Sequence, residues 1–159
     1  MMNTTGNKMK EKIETIKTTR LFLLNTIDGL SEEQFNRIPE GFNNNIIWNL
    51  GHMIAAQQGI CYLRSGLALQ VPENIFHEFK PGSKPEKSYN QQEINKICRL
   101  MTDTLDQLIT DIEKEIFINY TNITTRYNVE LKNIADAIAF LPFHEGLHSG
   151  YIMSLRKLV

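Results

Sequence analysis

Apolar residues recur at helical spacing along most of the chain. Met9, Ile13, Ile16, Leu23, Ile27 and Leu30 follow steps of three, four or seven. That period places them on one buried stripe and predicts an amphipathic helix over about residues 7–28, ended by Asp28-Gly29. Ser31 and Gln34 form a capping-box pair, so a short helical turn opens there before Pro39 stops it. Asn43, Asn44 and Asn45 offer caps for a second helix over about 45–65, and Gly66 is placed to end it in the left-handed conformation. Ile94, Ile97, Met101, Leu105, Leu108 and Ile112 mark a third helix over about 90–115, introduced by a second capping-box pair, Ser88 and Gln91. After a polar stretch at 119–128, Ile134, Ile138, Leu141, Ile152 and Leu155 mark the last. Pro142 is expected to bend that helix, because proline cannot donate to the carbonyl four residues back.

The connection from Gly66 to Lys87 holds Pro72, Pro81, Gly82 and Pro85 and keeps no period. A loop beyond about 15 residues is uncommon in a compact domain unless it does something, so this one should cross the bundle end and cover a site. No alternating strand pattern competes. The expectation is an all-α fold, a four-helix bundle with a long crossing loop between helices 2 and 3, with residues 1–159 as one domain.

Charge adds an exclusion. The 17 basic residues nearly cancel the 18 acidic ones, for a net charge of -1, whereas a nucleic-acid surface needs clustered Lys and Arg; no nucleic-acid partner is expected. Two cysteines, Cys61 and Cys98, do not make a disulfide framework and suit a reducing compartment. The first twenty residues are polar where a signal peptide would be apolar, and no apolar run reaches the ~18 residues of a membrane span. A cytoplasmic protein with no membrane partner is expected.

Candidate chemistry lies near the C-terminus. His144 and His148 are four residues apart, on one helical face, and continue the stripe of Ile134, Ile138 and Leu141 toward Ile152 and Leu155. They should point inward, where each unmatched imidazole would cost roughly 1–3 kcal/mol unless a partner such as a metal ion takes it up. His144-Glu145-Gly146-Leu147-His148 is also the zincin protease string. That reading fails on its third ligand, since only 11 residues follow His148 and none is His or Cys. A third ligand must come from upstream. His52, in the middle of the second helix on an apolar or small face with Trp48, Ala55 and Ala56, is the natural candidate; His77, in the proline-bounded loop, competes. Gly146 suggests close approach of a neighbouring helix, because glycine inside a helix costs about 1 kcal/mol against alanine.

Trp48-Asn49-Leu50-Gly51-His52, taken with His144, His148, Ser149 and Gly150, resembles the DinB/YfiT-like metalloenzyme superfamily over nearly the whole chain. The resemblance implies a four-helix bundle with one zinc or nickel ion held by His52, His144 and His148. It also implies low-molecular-weight thiols as partners in some members, and a homodimer. Many relatives carry Gln where this chain has Tyr151. Three histidines leave a coordination position open for water or substrate, which favours chemistry over a closed structural site. The expected function is a metal-dependent thiol S-transferase or hydrolase acting on a small-molecule substrate that enters where the 66–87 loop meets the bundle end. The alternative is a non-catalytic metal-binding or stress-associated interaction protein. No catalytic residue is assigned. Glu145 points about 100 degrees from His144 on an ideal helix and reads as a solvated or ligand-supporting carboxylate before a general base. Tyr151 reads as a core or rim residue, Trp48 as packing, Asn49 and Gln57 as weak pocket candidates, and Cys61 as a small buried apolar residue.

Overall fold

The computed structural model describes residues 4–159; Met1 to Asn3, the start of the expected domain, lie outside the described residues. Four long helices form the bundle: α1 (Thr4–Thr26), α3 (Ile46–Gln57), α5 (Gln91–Glu113) and α6 (Ile134–Leu155), with short helices α2 (Glu32–Asn36) and α4 (Glu73–Phe79) in the connections. α1 and α3 each pack on both α5 and α6, so the order around the bundle is α1, α5, α3, α6. The segment from α5 to α6 therefore joins diagonal positions and must cross an end of the bundle.

The caps follow from side-chain chemistry. Ser31 and Gln34 close the expected capping box on α2, and Asn45 takes the Trp48 amide at the start of α3. The box that opens α5 is Asn90 with Glu93, two residues later than the expected Ser88 and Gln91, because an Asn carboxamide is as good a cap as a serine hydroxyl. α3 does not run on as regular helix to residue 65. It passes into a π-helical turn at Gln58–Tyr62 and a 3-10 turn at Leu63–Ser65, and Gly66, at φ 71°, ends it as expected. Pro142 lies inside α6, which continues through it.

Two stretches expected to lack regular structure contain some. The 66–87 connection carries α4, which buries Ile75 and Phe79 against α3. The polar stretch before α6 holds an antiparallel hairpin, β1 (Ile123–Thr124) with β2 (Glu130–Leu131), whose two-residue strands are too short to show an alternating pattern.

The apolar core is divided. One cluster gathers Leu23, Ile27, Ile54, Met101, Ile152 and Leu155; the other gathers Ile13, Ile16, Tyr62, Leu105, Ile138 and Leu141. Between them each long helix contributes polar side chains: Arg20 from α1, Gln57 from α3, Thr104 from α5, and His144 and Glu145 from α6, all buried. A buried polar layer is stable only when its groups are paired, and here the pairing is nearly complete. Arg20 spends all five of its donors: Nε and Nη2 on the two Glu145 oxygens at 2.9 and 2.7 Å, Nη1 on Gln57 Oε1 and the Met101 carbonyl, and Nη2 also on the Met53 carbonyl. Gln57 Nε2 donates to the Thr104 carbonyl at 3.0 Å.

Candidate metal centre

The three predicted histidines meet at this layer, to which His144 belongs. One ring nitrogen from each of His52, His144 and His148 can be chosen so that all lie within 4.8 Å of one another, a grouping able to hold a metal ion. His52 comes from the middle of α3, and the other two lie one turn apart on α6. His52 and His144 are buried and His148 is partly so. His77 is elsewhere, exposed on α4 beside Lys80.

Two of the rings are aimed by protein oxygens. His52 Nδ1 lies 2.8 Å from the Phe79 carbonyl, which can only accept, so Nδ1 carries the proton and Nε2 is left with its lone pair. His148 Nδ1 lies 2.8 Å from Asn49 Oδ1. Asn49 Nδ2 donates to Asn44 Oδ1 at 2.9 Å and to the Asn45 carbonyl at 2.8 Å, which fixes Oδ1 as the acceptor toward His148. Such partners set the tautomer of a ligand histidine and raise its basicity. His144 differs: its Nδ1 is buried with no hydrogen-bond partner. A metal ion is the kind of partner that such a site would take. The donor set and its supporting oxygens therefore fit a divalent ion that accepts imidazole.

Electrostatics keep the rings neutral. Burial is the largest cause in each case, holding His144 down to about 3 and His148 down to about 4. For His144, repulsion from Arg20 and from the protonated forms of His148 and His52 adds to it, and for His148, repulsion from Arg126 and from a protonated His52. His52 is also lowered by burial, opposed by its bond to Phe79 and assisted by Arg126. Neutral imidazole is the form that binds metal.

The cluster opens on a cavity of about 680 Å³, within the range of small-molecule sites. Small residues on α3 and the π-helical turn, Ala55, Ala56 and Gly59, leave the room. Trp48 borders it, stacked on the His52 ring at 4.7 Å and 10°, with its indole N–H donating to Ser83 Oγ at 3.1 Å. The 66–87 connection supplies Phe76, Pro81 and Gly82, so it does reach over the site; the hairpin segment adds a second wall from Thr121 to Tyr127, in a stretch whose sequence shows no periodic signal.

Other expectations need correcting. Glu145 is neither solvated nor turned toward the cavity; its carboxylate is buried against Arg20. Gln57 belongs to the same network. Tyr151 does not line the cavity but meets Phe42 edge-on at 5.4 Å on the exposed side of α6. Gly146 is exposed with open space where a side chain would stand, so close helix packing does not account for it. Asn49, weakly marked in the sequence, is the residue that orients His148. Cys61 is buried as expected, its thiol pushed up to about 12, chiefly by burial.

The family model described as the DinB superfamily matches residues 15–152, a span that includes all three histidines as well as Arg20 and Glu145. No curated protein matches the chain. Among the described residues no helix is long and apolar enough to cross a membrane.

Proposed function

The chain belongs to the DinB superfamily, and from that premise we propose that it is a metalloenzyme in which His52, His144 and His148 hold one zinc or nickel ion and the cavity beside them receives a small-molecule substrate. The observation that carries the reading is the convergence of three neutral imidazoles, two of them aimed by fixed oxygens, on the boundary of an apolar cavity. When bound, the ion would supply a Lewis acid able to lower the pKa of a water or thiol.

Of the two expected reactions, thiol S-transfer fits this chain better than hydrolysis. In the zincin pattern the glutamate is the general base that takes a proton from water. Here that glutamate is committed to Arg20, and no Asp or Glu is among the residues lining the cavity. A thiol has far less need of such a base, because its proton is already labile near neutral pH. The protein's own contribution is then to orient the imidazoles, to hold the substrate among Trp48, Phe76 and Phe140, and to keep bulk water from the reacting atoms.

Elemental analysis of purified protein after incubation with zinc or nickel tests the site. One equivalent per chain is expected, falling to near zero in His52→Ala/His144→Ala. A metal-free wild type, or an unchanged content in the double variant, ends the reading. Conjugation of a low-molecular-weight thiol to an electrophile, lost on chelation and restored by metal, tests the reaction.

A further inference from the structure

Taking the cavity as the substrate site, as proposed above, we infer that its ligand is a small organic anion, an apolar body carrying one carboxylate-type group that Arg64 and Arg126 receive. Both arginines line the cavity, together with apolar side chains such as Ile60, Leu63, Phe76 and Phe140, and no Asp or Glu shares that lining. Among the described residues neither guanidinium has an ion-pair partner or donates a hydrogen bond. The chain as a whole is slightly acidic, at -1, so the local excess of positive charge is a property of the cavity and not of the bulk.

Each residue is set in the cavity wall by the backbone. Arg64 lies in the 3-10 turn that ends the α3 segment, and its carbonyl accepts the Thr121 N–H at 2.6 Å, which ties the start of the hairpin segment to that turn. Arg126 sits in the hairpin connection, where the Thr125 N–H donates to the Val129 carbonyl and the Asn128 N–H to the Thr125 carbonyl. Its guanidinium carbon lies 5.4 Å from the Tyr127 ring centre, and that ring packs edge-on against Phe143 of α6 at 5.0 Å. An arginine over an aromatic face still presents its N–H fork at its edge, which is the geometry that binds a carboxylate through two parallel hydrogen bonds. The one buried carboxylate near the histidines, Glu145, is already neutralised by Arg20 and does not compete. An apolar wall with two guanidinium groups that have no ion-pair partner among the described residues selects a ligand with the matching division.

The test compares 4-phenylbutanoate with 4-phenylbutanamide, two probes that differ in charge and little in shape. Binding of each is measured by calorimetry to zinc-reconstituted full-length protein, to chelator-treated protein, and to Arg64→Gln/Arg126→Gln in both forms. The acid is expected to bind about ten-fold or more tightly than the amide in both forms of the wild type, and the double variant should lose that preference while still binding the amide. Equal binding of acid and amide to the wild type, a preference that survives the double substitution, or one that appears only with zinc each overturns the inference. Retained amide binding by the variant shows that its cavity is folded; if the variant binds neither probe, the loss is structural and the arginine assignment falls. Metal content is read separately, so a zinc-binding protein without anion preference sinks this inference alone, and an anion-selective protein that takes up no metal sinks the metalloenzyme reading alone.

Discussion

The Phe79 ring is seated on Gly51, and a methyl group at residue 51 would overlap the ring's Cγ and both Cδ carbons. A hydrogen bond lies beside this contact: His52 follows Gly51, and the carbonyl of Phe79 itself accepts the His52 Nδ1 proton. The missing side chain is thus what allows α4 to approach α3 closely enough to orient a metal-ligand candidate. Gly51→Ala is expected to push α4 outward, destabilising the fold by about 1–3 kcal/mol as overpacked cores do. It should also weaken zinc affinity about 10–100-fold through loss of the supporting carbonyl. Urea unfolding and a competitive zinc titration read the two effects, and an alanine variant with unaltered zinc affinity would show that the carbonyl does not support the site.

The Arg20–Glu145 pair predicts a non-additive pattern. Removing one partner leaves a buried charge alone, which typically costs about 3–5 kcal/mol, whereas replacing both by apolar residues of similar volume is often near neutral. Arg20→Met and Glu145→Leu should each lower stability strongly, and the combined variant should lose clearly less than the sum of the two. The network makes full recovery unexpected, because Gln57 Oε1 also loses a donor. Additive losses in a double-mutant cycle by urea unfolding would mean that the two side chains stabilise the layer independently.

Much of this arrangement could be read in the sequence because helical periodicity is a local signal. The stripes on α1, α5 and α6 are spaced as the core requires, and His144 and His148 stand in register with Ile138, Leu141, Ile152 and Leu155. What escaped depends on non-local pairing. Arg20 falls between Ile16 and Leu23 on the α1 stripe, where an inward-facing arginine signals a buried partner, but nothing local identifies that partner 125 residues away as Glu145. Glu145 departs from its sequence expectation because an ideal helix gives only its angle from His144; what receives it depends on α1. Phe79 acts through its carbonyl, which the side-chain pattern does not report, and the wall carrying Arg126 is held by backbone bonds in a stretch with no period at all.

Asn49 should be a positioning residue. Its Oδ1 fixes the His148 tautomer, and the same side chain ties Asn44 and the Asn45 carbonyl at the start of α3. Asn49→Asp keeps an acceptor for His148 but loses the amide donors, whereas Asn49→Leu removes both. Zinc affinity is therefore expected to fall about 10–100-fold in the leucine variant and markedly less in the aspartate variant. Equal losses in the two would assign Asn49 to the helix start and not to the histidine.

Acid should destabilise the metal-free protein as the pH falls below about 6.5. His144 and His148 are held down to about 3 and about 4 in the folded chain, and His52 is lowered too, while in the unfolded chain all three titrate near 6.5. As pH falls below about 6.5, the unfolded state takes up protons that the folded state refuses, so stability present above that pH is lost as the pH drops toward 4, by about 1.4 kcal/mol per pH unit for each histidine fully engaged. Urea midpoints of chelator-treated protein between pH 7.5 and 5 should fall steeply, and His144→Phe should flatten the slope by removing one of the three groups. Bound zinc should raise the midpoint at pH 7.5 and lose that effect on acidification, because protons compete for the same nitrogens. A metal-free wild type whose midpoint is constant across this range would mean that the imidazoles are hydrated in solution and not held in the apolar setting on which their neutrality depends.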